Sequence, residues 1–455
     1  MSREQARIAI CGAGVGGLTL ALTLGTYSAH YTVDLYEAGV EISTIGAGVA
    51  VWARTLEVLK LLGLDERMAE RGMTLDGADR LHTGPRFRRS DQAHAGDIFL
   101  TDAVPKGGLA MHRPDLIDLL KDNLPPNCSV HLNKRMRNYS ASSFALNTAA
   151  ITMHFTDGTA ATADILVGAD GVRSATRETM FEALSSQYPD GFDGISEDDL
   201  RKCKKPVWTG TVAYRCIFPA EKLKNLDPGH PVLDHHLLGL GKDRHIVSYP
   251  ISRRTLINFI AFDTIPDGEG TKFPDKWVQD VPVEEVRALY QGWEPDVQTL
   301  LECADTLSRW AVHVTAPLPF YTHGNVALLG DAAHAMMTHF GAGAGQAIES
   351  AYLLGRILSH PSINSATVPA ALKIYSAIRQ PFANGIVEKS RVMGLMYEFN
   401  APGLYNGVDR ENEAESLREI SAQIKREWEW VGRHGVHEDW KKAEEMLGSL
   451  GQGSV

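Results

Sequence analysis

The sequence predicts an α/β fold: a parallel-sheet domain with a dinucleotide-binding turn, an inserted, mainly antiparallel β-sheet domain, and a C-terminal helical segment. Three observations predict it. Near the N-terminus a strand runs into Gly-x-Gly-x-x-Gly, a helix and a second strand. From about 182 to 304, strand-like runs follow one another across short turns. From Ala370 onward, apolar residues recur at helical spacing. The expected divisions are 1–181 and 305–369 for the two parts of the first domain, 182–304 for the inserted sheet and 370–455 for the terminal helices. A chain of 455 residues accommodates two or three domains.

The first element, Arg7-Ile8-Ala9-Ile10-Cys11, is an apolar run of strand length stopped by Gly12-Ala13-Gly14-Val15-Gly16-Gly17. Leu18, Leu20, Ala21, Leu22 and Leu24 continue as a helix apolar enough to pack on a sheet. Val33 to Glu37 is the next strand, and Glu37 stands 20 positions beyond Gly17. Gly12 makes the tight turn, Gly14 lets backbone touch a pyrophosphate, and Gly17 allows close helix–strand contact. The free N–H groups of the helix start face the diphosphate. Glu37 can accept both hydroxyls of an adenosine ribose. This motif alone does not separate NAD from FAD.

Two later strands close on acidic residues. Asp164 to Gly168 leads into Ala169-Asp170-Gly171, and Asn325 to Leu329 leads into Gly330-Asp331. Asp331 thus sits at the C-terminal end of a strand, where open α/β sheets place their ligands, and its carboxylate suits a polyol chain. Gly341-Ala342-Gly343-Ala344-Gly345 then opens a helix from about Gln346, aiming N–H groups at an electron-rich ring edge.

In this order the three motifs resemble those of class A flavoprotein aromatic hydroxylases, in the salicylate hydroxylase-like branch of FAD-dependent monooxygenases. The resemblance spans roughly residues 5 to 400. Smaller matches accompany it: Gly46-Ala47-Gly48-Val49-Ala50 before the helix Leu56–Leu64, and Met111-His112-Arg113-Pro114-Asp115-Leu116. The resemblance implies a Rossmann-like FAD-binding domain with non-covalent FAD contacted by Gly12, Gly14, Gly17, Glu37, Ala50, Arg113, Asp170, Asp331, Gly343 and Ala344. It also implies NAD(P)H, as NADH or NADPH, and O2 as co-substrates. His334 reads as a structural hydrogen-bonder. Two departures stand out: the family's proline after the GDAAH segment is missing from Met336-Met337-Thr338-His339-Phe340, and its Pro-Asn pair is Ala53-Arg54. The Thr338 to Phe340 stretch is expected to face the reacting ring.

The middle block contains the runs Trp208–Phe218, Pro231–Leu238, Arg244–Pro250 and Thr255–Phe262, with part of 81–110 adding loops or a strand. Arg215 lies on the first run and Tyr249 on the third. The resemblance places both near the substrate, as the catalytic pair. Arg215 can bind a carboxylate or phenolate bidentately, and Tyr249 can hydrogen-bond the same oxygen. The family's C4a-hydroperoxyflavin is a moderate electrophile, so positive charge beside a phenol of pKa about 10 favours the reactive phenolate. The read-outs against this are an Arg215 paired with a surface acid and a Tyr249 in the core. His235, His236, His245 and His339 are further acid–base candidates that spacing does not distinguish. No histidine cluster has metal geometry, and no metal is expected.

The terminal segment carries Tyr375, Ile378, Phe382 and Ile386, then Leu417, Ile420, Ile424, Trp428 and Val431, on two helices. Pro381 is expected to kink or restart the first, and Gly448–Val455 to be a loose tail. Lys plus Arg number 45 against 56 Asp plus Glu, a net charge of −11 that disfavours nucleic acid and anionic membranes. No run reaches the roughly 18 apolar residues of a membrane span. Five scattered cysteines fit a reducing, cytoplasmic compartment. The expected protein is a single-component FAD monooxygenase, monomer or homodimer, hydroxylating a small phenolic aromatic such as salicylate or 4-hydroxybenzoate, with or without decarboxylation. The alternatives are a biosynthetic epoxidase or dearomatising hydroxylase, and a non-catalytic FAD-binding regulatory protein.

Overall fold

A computed structural model describes residues 6–28, 30–42, 48–73, 84–104, 108–141, 150–408, 411–433 and 435–452. Gly46 and Ala47 of the second glycine-containing segment lie outside them. The strand Ala6–Cys11 sits in the middle of a six-stranded sheet, pairing in parallel with Tyr31–Tyr36 on one side and Ile165–Gly168 on the other. Cys128–His131 and Val326–Leu328 extend it in parallel, and the short Thr322–His323 closes it as an antiparallel edge. Ile8 to Cys11 and Ile165 to Gly168 run without polar alternation and are buried on both faces, whereas Tyr31–Tyr36 nearer the edge alternates, burying Val33 and Leu35 between the half-buried Thr32 and Asp34.

The helix Val15–Tyr27 lies against the helix Gly343–Leu358. Their approach needs Gly355, where a Cβ would stand 2.6 Å from Thr23 Cγ2. A small antiparallel sheet (Met136–Ala141, Ile151–Phe155, Ala160–Ala163) precedes the strand Ile165–Gly168.

The second large sheet has eight strands. In spatial order they are Val278–Pro282, Thr306–Val314, Val207–Pro219, Leu256–Glu269, Arg244–Ile251, Leu237–Gly241, Arg86–Arg89 and Ile98–Leu100. All neighbours are antiparallel except Leu237–Gly241 with Arg86–Arg89. Two expectations change here. Pro231–Leu233 is a 3-10 turn, so the strand starts only at Leu237, after two prolines' worth of lost donors at 228 and 231. Thr306–Val314, expected to reopen the first domain, pairs instead in the antiparallel sheet with Val207–Arg215, so the divide at 304/305 is displaced to beyond Val314.

The terminal helices also differ from expectation. Val368–Tyr397 runs unbroken through Pro381. Pro381 and Ala377, whose carbonyl loses its partner, are both exposed, so water can satisfy that group. Gly448–Gln452 is not a tail but the last turn of a helix that begins at Val436, anchored by the buried Ala443 and Leu447. Among the described residues, no helix is long and apolar enough to cross a membrane.

Candidate active site

The glycine turn is built by steric necessity. Gly12 has φ +108°, and a Cβ on it would stand 2.2 Å from the Ala169 carbonyl oxygen; one on Gly17 would stand 2.0 Å from the Gly12 oxygen. Gly14 is different: a Cβ there would meet nothing within 4 Å, and no side chain caps the helix that follows. The open backbone therefore presents the free N–H groups of a helix start to the space in front of the turn, an arrangement that suits a phosphate. Glu37, just past the end of its strand, accepts from the Ala13 N–H (3.0 Å) and the Gly39 N–H (2.7 Å), which holds its carboxylate against this turn. Asp170 behaves otherwise. Ser174 Oγ donates to one carboxylate oxygen, and the Thr176 N–H and hydroxyl donate to the other, so it braces the start of the helix Ala175–Gln187, whose N-cap is Ser174.

A cleft of about 720 Å³ separates the parallel-sheet domain from the eight-stranded sheet. It gathers Ala50, Arg113, Asp331, Gly343 and Ala344 from the first and Arg215 and Tyr249 from the second. Asp331 opens a one-turn helix after Gly330 (φ +62°), with its side chain accessible in the cleft. The surrounding protein pushes its carboxyl pKa up, while Arg113 and Arg177 pull it down. Arg113, the first residue of the helix Arg113–Lys121, is itself pulled down by burial and raised by Asp331. Opposite Ala50, a Cβ on Gly341 would stand 3.0 Å from the Ala50 Cβ, so both walls of this slot must stay small. The helix starting at Gly343 has no side-chain cap, and a Cβ on Gly343 would meet open space.

These residues fit FAD: an open phosphate cradle at Gly14, an acid against the same turn, a slot with small walls, and an uncapped helix start beside an accessible carboxylate.

The other wall carries the polar groups of the eight-stranded sheet. Arg215 Nε is buried without a partner, and no described carboxylate lies within ion-pair distance of its guanidinium, which packs 5.3 Å from the Trp310 ring. Burial lowers its pKa and Tyr249 raises it. Burial pushes the Tyr249 phenol up to about 12, against the pull of Arg215, so it is a neutral O–H donor. The ring of His236 lies 4.8 Å from that of Tyr249; both its nitrogens are unpartnered, and burial pushes it down to about 3.

His339 is also neutral, pushed down to about 4 by burial and by His245. Its Nδ1–H donates to the Ser390 carbonyl (2.8 Å), which leaves the Nε2 lone pair unpaired. Behind it, His245 Nδ1 and Glu398 Oε1 are 2.9 Å apart. Burial pushes His245 down to about 3 and Glu398 up to about 8, so the carboxyl keeps its proton and donates it to the imidazole. Of the four histidines weighed from sequence, His236 and His339 line the cleft. His334 bonds Ser350 Oγ through Nε2 (3.2 Å) deep in the core.

Sequence reasoning missed much of the apolar lining: Trp52, Leu238, Phe262, Tyr397 and Trp428. Trp428 carries a helical period and reads as the packed face of a helix, and no local signal turns Tyr397 or Trp428 toward a cleft.

The FAD binding domain family matches residues 5–215 and 235–390. A salicylate hydroxylase of Pseudomonas putida is 32% identical over 97% of this chain and 95% of its own. The chain belongs to this family of FAD-dependent monooxygenases. It is an FAD enzyme of the type that uses NAD(P)H and O2, similar to salicylate hydroxylases and 6-hydroxynicotinate monooxygenases at about 30% identity. The FAD-dependent monooxygenase str9 of Strobilurus tenacellus is 30% identical over 98% of both chains. A solved salicylate hydroxylase substrate complex superposes with a TM-score of 0.78 at 28% identity, covering 97% of this chain and 98% of that one.

Proposed function

We propose that this monooxygenase hydroxylates a phenolic aromatic that carries an anionic group, a hydroxybenzoate such as salicylate or 4-hydroxybenzoate. Arg215 is the observation that carries this reading: a guanidinium on the cleft wall with no acidic partner among the described residues. A charge kept without a partner is costly, and an incoming carboxylate or phenolate removes that cost. Tyr249, neutral across physiological pH, donates to the same anion and fixes its orientation.

FAD fits with its diphosphate on the Gly12–Gly17 turn, its adenosine ribose at Glu37, and its ribityl and ring portion between Ala50, Arg113, Asp331 and Gly343–Ala344. Bound there, it supplies the two-electron chemistry by which NAD(P)H activates O2. The residues of this chain do the rest. Arg215 holds the substrate anion and favours the ionised form of a phenol beside it. The His339 Nε2 lone pair can accept a hydrogen bond from a substrate hydroxyl, since its Nδ1–H is already committed. The apolar lining excludes water from the reacting ring. One oxygen atom enters the ring and the other leaves as water; where the attacked carbon bears the carboxylate, CO2 leaves and a catechol or hydroquinone results.

The similarity to salicylate hydroxylases supports the same class of substrate. The purified holoenzyme is incubated with hydroxybenzoates while NAD(P)H oxidation and products are followed. The expected result is oxidation stimulated by one or more of them, with a dihydroxylated product; oxidation indifferent to the whole panel overturns the reading.

A further inference from the structure

The cleft has two kinds of wall. Its cofactor side and its Arg215–Tyr249 side come from residues inside or directly beside the family-matched segments, but Tyr397 and Trp428 lie beyond residue 390, where the match ends. We propose that Trp428, presented at the end of the helix Glu413–Trp428, sets the upper size limit of the aromatic substrate by closing the apolar end of the cleft against a second fused ring. This rests on the reading of the cleft as an aromatic-substrate site.

The packing makes Trp428 a fixed wall. It is 3% exposed and meets the edge of Trp52 at 5.2 Å and 75°, and of Phe340 at 4.8 Å and 90°. Those two rings are themselves tied, because Trp52 Nε1 donates to the Phe340 carbonyl (2.9 Å). The Trp428 indole N–H is turned to the Tyr397 phenol, whose pKa it lowers against the effect of burial, so the two side chains of this wall also hold one another.

The backbone that follows is pinned. Arg54 donates to the carbonyls of Trp430 (3.3 Å) and Arg433 (2.9 Å) while it pairs with Glu349, on the helix that begins beside the cleft. The wall therefore cannot swing away to admit a wider ligand, and the volume it leaves is decided by the side chain at 428. Trp428 and Tyr249 also belong to separate packing clusters, so shortening the one leaves the anchoring of the substrate anion in place.

The test compares wild-type, Trp428→Phe and Trp428→Ala holoenzymes with salicylate and 1-hydroxy-2-naphthoate, which share one hydroxy-carboxylate pattern on one and two rings. Flavin content, the dissociation constant from the flavin absorbance change and kcat/KM are measured for each. In Trp428→Ala the ratio of bicyclic to monocyclic ligand, in affinity and in kcat/KM, is expected to rise about tenfold or more, with Trp428→Phe intermediate and flavin content unchanged. A ratio within twofold of wild type overturns the proposal; if Trp428→Ala loses flavin, the same ratio in Trp428→Phe decides. Should neither carboxylate perturb the wild-type flavin, the hydroxybenzoate reading fails instead, and phenol against 2-naphthol measures the same size ratio.

Discussion

Asp331 and Arg215 line the cleft from its two sides, and each can be removed singly. Asp331→Ala removes the accessible carboxylate at the strand end. A hydrogen bond to a charged group contributes about 1.5–3 kcal/mol, so flavin affinity should fall at least about tenfold. Gel filtration of the variant followed by its visible spectrum checks this, with full flavin retention as the contrary result. Tyr249→Phe removes one neutral donor and should raise KM for a hydroxybenzoate about fivefold with kcat less affected. Because the Tyr249 phenol sits up at about 12, it is protonated throughout pH 6–9, and the pH profile of kcat/KM in that range should be the same in the variant.

At the scale of elements, a buried ion-pair cluster joins the glycine-led helix Gly343–Leu358, the helix Ala53–Leu61 and the C-terminal segment. Arg54 donates through Nε and Nη2 to both oxygens of Glu349 at 2.9 Å, and both side chains are almost fully buried. Thr55 and Gln346 complete the carboxylate, and Arg379 links the same cluster to Asp439 on the last helix. Arg54→Met leaves Glu349 with Thr55, Gln346 and the more distant Arg379 (3.7 Å) and should cost about 2–3 kcal/mol, read as a lowered denaturant midpoint with unchanged slope. The Ala53-Arg54 departure from the family pattern thus has a structural reason that sequence did not supply, because its partners lie roughly 300 to 380 positions away.

The same distance rule explains what was legible. The glycine turn, Glu37 and Asp331 announce themselves through neighbours within a single strand–turn–helix unit. The wall made by Tyr397 and Trp428 depends on a contact with Trp52 from the other end of the chain. Thr306–Val314 was misplaced for a related reason: its period suits either sheet, and only pairing partners decide between them. Asp170 looked like Asp331 in sequence, but hydroxyls at 174 and 176 claim its oxygens.

For the whole molecule, buried neutral histidines set the acid limit. Burial lowers His236 and His334 to about 3 and His339 to about 4, whereas in the unfolded chain they titrate near 6.5. As pH falls below about 6.5 the unfolded state binds protons that the folded state does not, so stability declines from there toward pH 4. Each of the three should contribute a loss of about 1–2 kcal/mol between pH 7 and pH 5. Glu398, raised to about 8, has the opposite sign: its folded-state proton is stabilising below pH 8 and offsets the adjacent His245. A urea midpoint that falls on going from pH 7 to pH 5 checks the balance, and a rising one contradicts it.

The proposed function places flavin and an aromatic anion in one cleft, with the anion held by Arg215. Its most direct test is the flavin difference spectrum of wild-type and Arg215→Met holoenzymes titrated with salicylate. Equal flavin content, a saturable spectral change in the wild type and at least about tenfold weaker binding in the variant are expected. The same dissociation constant in both proteins would contradict it.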